Sequence, residues 1–173
     1  MKYNIPERVL KDISAFANAE FDINKDMVFK AQVARSYFTQ DMTFGSWIYI
    51  PETEFGGMIE EVMTDTTLDY VEMRGRTPRG KLSKRIIQPD AGQDYKIVSG
   101  DAHEIMRSFI DGAFSGYMKV TDNIGISVKN YQFKRYCTVY SGLKEMLQSV
   151  NRKMVCKFEK NTGEQFTILV DTE

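Results

Sequence analysis

The residues whose spacing comes nearest to a chemical device are Gly75-Arg76-Thr77-Pro78-Arg79-Gly80-Lys81. They fill the first seven positions of the phosphate-binding pattern G-x-x-x-x-G-K-[ST]. There, backbone N–H groups cradle phosphate, a lysine neutralises it and a hydroxyl holds Mg²⁺. In this chain the hydroxyl position is Leu82, with Ser83 one residue out of register, and Pro78 withdraws a backbone donor from the cradle. No later apolar strand ends in an aspartate placed to hold the metal. The pattern is incomplete, and no nucleotide or other cofactor is expected.

The same stretch is a basic cluster of Arg74, Arg76, Arg79, Lys81, Lys84 and Arg85, with no acid between them. Such a cluster can contact phosphate backbones by displacing counterions. It can equally be solvated surface, or meet carboxylates on a neighbouring subunit. Only Tyr70 lies close by as a stacking residue, so the aromatic interleaving of a single-strand binder is poor. With 23 basic and 24 acidic residues the net charge is −1, which gives no general pull toward nucleic acid or an anionic membrane.

Other reactive side chains are sparse. His103 is the sole histidine and falls in the first turn of an expected helix, so it is read as helix-terminal and partly exposed. Without Cys or His partners at ligand spacing it makes no zinc site. Nothing in the sequence positions Cys137 against His103 as a nucleophile pair, and Cys137 and Cys156 are read as free thiols in a reducing compartment. Glu60 and Glu61 are neighbours on a strand, where side chains face opposite ways, so they are a poor acid/base pair. No catalytic, cofactor-binding or metal-ligating residue is expected.

The elements that would carry these residues follow from periodicity. Pro6 with Val9, Leu10, Ile13, Phe16 and Ala17 predicts an N-terminal helix ending near Glu20. Met27 to Phe38 is β-like, and Trp47-Ile48-Tyr49-Ile50 is a short strand closed by Pro51. Met58 to Thr64 and Leu68 to Arg74, joined by a short polar link, predict an antiparallel hairpin. Thr77 to Arg85 can form a short helix, and Asp90 to Asp94 is the best candidate boundary. Asp101, with Glu104 three residues on, caps a helix over 101–114 with a stripe of Ile105, Met106, Phe109, Ile110 and Ala113. Ile124 to Val128 and Gln132 to Val139 read as extended, then a helix over 141–152 carries Leu143, Met146, Leu147 and Val150. Alternation of Met154, Cys156 and Phe158, a turn at Asn161-Thr162-Gly163, and Phe166, Ile168 and Val170 predict a closing hairpin over 153–171.

Composition sets the class. Of 173 residues, 42% are hydrophobic and 27% charged, which excludes wholesale disorder. No run of 18 apolar residues spans a bilayer, and Met1-Lys2-Tyr3-Asn4-Ile5-Pro6 lacks the apolar core of a secretory signal. Strands in two groups with interleaved helices give an α+β fold. Its expected halves are a β-rich, barrel-like subdomain with an N-terminal helix over 1–90, and a helix-and-hairpin subdomain over 91–173.

The order of features from Gly57 to Ile110 resembles a known family. It runs Gly-Met-Ile-Glu-Glu-Val (57–62), a Thr/Asp link, Val71-Glu72-Met73-Arg74-Gly75-Arg76, then Leu82-Ser83-Lys84-Arg85-Ile86-Ile87-Gln88-Pro89. Later comes Ser99-Gly100-Asp101-Ala102-His103-Glu104-Ile105-Met106-Arg107-Ser108-Phe109-Ile110. This is similar to the siphovirus and prophage tail-tip structural proteins, themselves similar to contractile-tail baseplate hubs and to the N-terminal part of tail-associated lysins. In that family a strand ends in a V-x-G-R-type turn, a short helix closes with L-x-R-R-I and an aromatic-Pro, and a helix and hairpin like Tyr140 to Val170 follow. Here Lys84-Arg85 replaces the paired arginine and Gln88 stands where an aromatic is common. Family members run to about twice this length, so the chain corresponds to a fragment or a short form.

The resemblance implies no catalysis and no cofactor. It implies a structural component of a phage or prophage tail tip or baseplate hub, assembled in the bacterial cytoplasm and resident in the virion tail. Its partners would be copies of itself in a ring-type homo-oligomer such as a trimer, together with neighbouring tail proteins, and no membrane. The candidate subunit contact is Arg74, Arg76, Arg79, Lys81, Lys84 and Arg85 meeting acids such as Glu52, Glu54, Glu60 and Glu61 of another copy. As exposed charges, Arg76 and Arg79 should then be reversible in sign without loss of folding. The alternative is a nucleic-acid-binding accessory protein using the basic stretch 74–85, which the near-zero net charge disfavours. A third reading is a nucleotide-dependent enzyme using Gly75 to Lys81.

Overall fold

The computed structural model describes residues 10–12, 20–23, 27–111, 117–122, 125–160 and 166–173. The fold is α+β. Among the described residues, strands β1 (Leu10–Asp12), β2 (Glu20–Ile23), β3 (Val28–Ala34), β4 (Trp47–Tyr49), β5 (Gly56–Thr64) and β6 (Tyr70–Arg76) form one sheet. Its order is β1-β4-β5-β6-β3-β2, and it curls into a half-barrel. β5 and β6 are the antiparallel hairpin the sequence predicts, with a register shift between Ile59 and Glu61 that makes Glu60 the bulged residue.

The remaining elements follow. Helix α1 (Pro78–Leu82) leads to β7 (Ile97–Asp101), α2 (Ala102–Ile110), β8 (Met118–Val120), β9 (Ser127–Gln132), α3 (Val139–Ser149), β10 (Met154–Lys160) and β11 (Phe166–Thr172). β7 pairs with β9, and β11 lies between β10 and a parallel β8. The large sheet thus draws only on residues before 77, and the two small sheets only on residues after 96.

β4 divides two cores, which explains why all three of its residues are buried. Ile48 joins Phe29, Ala31, Val33, Ile59 and Met73 in the smaller core. Trp47 and Tyr49 point the other way, into a larger core shared with Met106, Leu143 and Phe158. The Phe158 ring stacks on Tyr49 at 5.6 Å and meets Trp47 edge-on at 6.1 Å. Aromatic burial of this kind contributes beyond area alone. It fastens the C-terminal hairpin onto the half-barrel.

Several expectations need correction. The N-terminal helix is not formed where the chain is described: residues 10–12 pair in parallel with β4, and 20–23 pair with β3. At 10–12 a sheet partner far along the chain overrides the helical spacing; residues 1–9 and 13–19 lie outside the described residues. Gln132 to Val139 is not extended. β9 ends at Gln132, a turn follows through Cys137 N–H to the Lys134 carbonyl, and α3 begins at Val139. Thr138 caps α3 reciprocally with Ser141, which is why the helix starts earlier than its apolar stripe. Helix α2 ends at Ile110 rather than 114, because Asp111 turns to an extended backbone. Ala113, Ile124 and the turn Asn161-Thr162-Gly163 lie outside the described residues.

Candidate functional site

The basic stretch occupies the corner where β6 runs into α1. Pro78 stands at the first turn and Thr77 is the cap. The Thr77 hydroxyl accepts from Gly80 N–H at 3.2 Å and donates to the Met27 carbonyl at 3.0 Å, while Thr77 N–H donates to the same carbonyl at 3.1 Å. Lys81 N–H donates to the Thr77 carbonyl at 3.0 Å. Three of the backbone donors that a phosphate cradle would use are thus engaged within the chain. Lys81 Nζ lies on Glu60 at 2.9 Å. The stretch is built as a strand-to-helix corner.

Arg74, Arg76, Arg79 and Lys81 have acids of the same chain as partners. Arg76 Nη1 reaches both Glu60 oxygens at 2.7 Å, beside Lys81. The bulge accounts for this geometry: it turns Glu60 toward the corner while Glu61 stays exposed. Arg79 Nη2 pairs with Glu54 at 2.6 Å and reaches the Met154 carbonyl of β10 at 3.4 Å. Arg74 pairs with Glu72 at 2.6 Å, joined there by Lys30 at 2.9 Å and Gln32 at 3.0 Å. Lys84 and Arg85 are exposed, and Lys84 has no ion-pair partner among the described residues. Five cations, Lys30 included, share the three carboxylates Glu54, Glu60 and Glu72, so the pairing offsets the charge of this stretch only in part.

These carboxylates set an acid response. Hydrogen bonding from Lys30, then from Gln32 and Arg74, outweighs burial and holds Glu72 down to about 2 from an ordinary 4.5. Burial pushes Glu60 up, but Lys81 and Arg76 outweigh it and leave the group below its ordinary value. A carboxyl with a depressed folded value contributes stability that is complete above the unfolded value and lost as pH falls through the folded one. Stability in denaturant should therefore hold down to pH 4.5 and fall steadily from there toward about 2. Glu72→Gln should flatten that slope.

His103 is a correction: it is fully buried, not partly exposed. Its Nε2 lies 3.0 Å from Asp171 Oδ1 and 3.4 Å from Thr172 Oγ1, both on β11. Its Nδ1 lies 3.7 Å from Asp101 Oδ1. Asp101 caps α2 through His103 N–H at 2.8 Å, and its other oxygen accepts from Gly125 and Ile126 N–H at 2.7 and 3.0 Å. His103 thus ties α2 to the last strand. The imidazole hydrogen-bonds Asp171 and Thr172 rather than Cys137, so the His–Cys pair is not assembled. Both cysteines are free thiols, and burial pushes Cys137 up and Cys156 to about 11, which opposes nucleophilic use.

No helix among the described residues is long and apolar enough to cross a membrane. No protein-family model matches the chain, and no curated protein matches it. A solved structure does: the tail protein from Neisseria meningitidis MC58, with a TM-score of 0.54 and 12% identity. The match covers 83% of this chain and 41% of that one, so it spans about two fifths of its neighbour's length. Over the matched part the chain shares its fold with that protein.

Proposed function

We propose that the chain is a structural component of a phage or prophage tail, at the tail tip or baseplate hub, working through oligomeric packing. The observation that carries this reading is the likeness to a tail protein over 83% of the chain. The order of motifs from Gly57 to Ile110 supports it independently. So does the corner at 75–81, whose polar groups are turned inward to hold the chain together rather than outward to a ligand. In this reading the partners are further copies in a ring, a trimer among them, and neighbouring tail proteins. Assembly takes place in the bacterial cytoplasm and the product sits in the virion tail.

Deletion of the gene from a tail-forming phage or inducible prophage tests the reading. Particles counted by electron microscopy should lack complete tails, and the gene supplied in trans should restore them. Normal tails in the deletion strain would overturn it.

A further inference from the structure

Two exposed surfaces of the chain complement each other in charge and apolarity but cannot meet within one molecule. The first is the turn between β5 and β6. It carries Asp65 and Asp69 with Leu68, which is 38% exposed, and Glu61 lies exposed on β5 leading into it. Asp65 accepts from Thr67 N–H and its hydroxyl, at 2.8 and 2.6 Å, and keeps its carboxyl below its ordinary value. The Arg35 guanidinium donates to the Asp65 and Leu68 carbonyls and Arg35 N–H donates to Asp69 O, so the turn is held in one shape. Neither Glu61 nor Asp69 has a side-chain ion-pair partner among the described residues.

The second surface is an open groove of about 700 Å³ beyond α1. One wall carries Lys84, Arg85 and Ile86, and the other Ser108, Phe109 and Asp111 of the α2 end. Ile86 is 54% exposed although it forms a β-bridge to Thr138, which fixes it in place. Asp111 has Arg107 Nε 3.8 Å away, so the acid on the far wall is partly offset. The turn precedes β6 and the basic wall follows it beyond α1. The seven residues of β6 set the two about 20 Å apart at ordinary strand rise.

From this we infer that the β5–β6 turn of one copy docks into the groove of the next, Asp69 against Lys84 and Leu68 against Ile86, in a head-to-tail contact. The contact joins different patches on the two copies, so it repeats, closing into a ring or running on as a filament. It rests on the tail-assembly reading and names its subunit surface. It also moves the basic contribution from Arg74, Arg76, Arg79 and Lys81, which have internal acid partners, to Lys84.

Cysteine trapping tests this directly. In a Cys137→Ser background, a chain carrying both Leu68→Cys and Ile86→Cys should give a ladder of covalent multimers under mild oxidation. Each variant alone should give none, and a mixture of the two singles should stop at dimers. As a non-covalent check, Asp69→Lys or Lys84→Glu should each weaken self-association in sedimentation more than about tenfold, and the double swap should restore it. No ladder, a covalent dimer from either single cysteine alone, or association indifferent to both reversals would overturn the contact. So would loss with Lys84→Glu alone, the result expected if the groove holds a nucleic acid or another protein's acidic segment. A chain that fails these tests while still being incorporated into tails would sink the contact and leave the tail reading standing. Absence from tails would sink that reading itself.

Discussion

Gly75→Ala is expected to be the most damaging single substitution in the chain, lowering stability by at least about 3 kcal/mol. A Cβ at Gly75 would lie 1.8 Å from the Met58 carbonyl oxygen and 2.9 Å from the Phe29 ring. The first of these is backbone on the paired strand, and it cannot swing aside as a side chain can. Relief requires opening the β5–β6 ladder next to its bulge, over the smaller core. The midpoint of thermal unfolding should drop by roughly 6–12 °C, or the protein should become insoluble. Gly92→Ala is the control: it has a φ of +78° and no atom within 4 Å of an added Cβ, so strain of about 1 kcal/mol is all it should show. If the two cost the same, β6 does not approach β5 as described.

Arg79→Glu should be nearly as severe, about 2 kcal/mol or more after allowing for partial solvent screening. The Arg79 side chain is 23% exposed, pairs with Glu54 before β5 and reaches the Met154 carbonyl on β10. It therefore bridges the half-barrel and the C-terminal hairpin. The reversal would set two carboxylates against each other and leave the Met154 carbonyl without this donor. This differs from the sequence expectation that Arg76 and Arg79 are reversible in sign without loss of folding. Thermal unfolding should show a fall of roughly 4–8 °C, while Lys84→Glu on the exposed wall should show almost none. Equal midpoints for wild type and Arg79→Glu would mean that the pair is surface decoration.

What was legible in the sequence was local. The β5–β6 hairpin, the short helix after Thr77, the Asp101 cap and the closing hairpin each show within a dozen residues as spacing and turn chemistry. The failures share a different cause. Leu10 fits a helical stripe with Ile13 and Phe16, yet its partner is Trp47 on β4, and nothing near Leu10 announces that pairing. β8 is three residues long and is a strand only because β11 lies beside it.

The site divides in the same way. The run from Arg74 to Arg85 was visible as charge, and Glu54 and Glu60 were visible as acids. That they meet inside one chain depends on a bulge at Glu60 and on a loop packed beside α1, which spacing does not encode. His103 was placed correctly in the first turn of α2. Its burial follows from Asp171 on a strand 68 residues away.

Whether the chain is a part of the tail is read from the protein content of purified particles. Tails from an induced prophage or lytic phage carrying the gene should be separated from lysate on a density gradient and analysed by quantitative mass spectrometry. Antibody-gold labelling should then locate the chain along the particle. The chain should be present at a fixed ratio to the other tail proteins, with label confined to the end of the tail away from the head. Complete, infectious tails that contain none of this chain would contradict the tail reading.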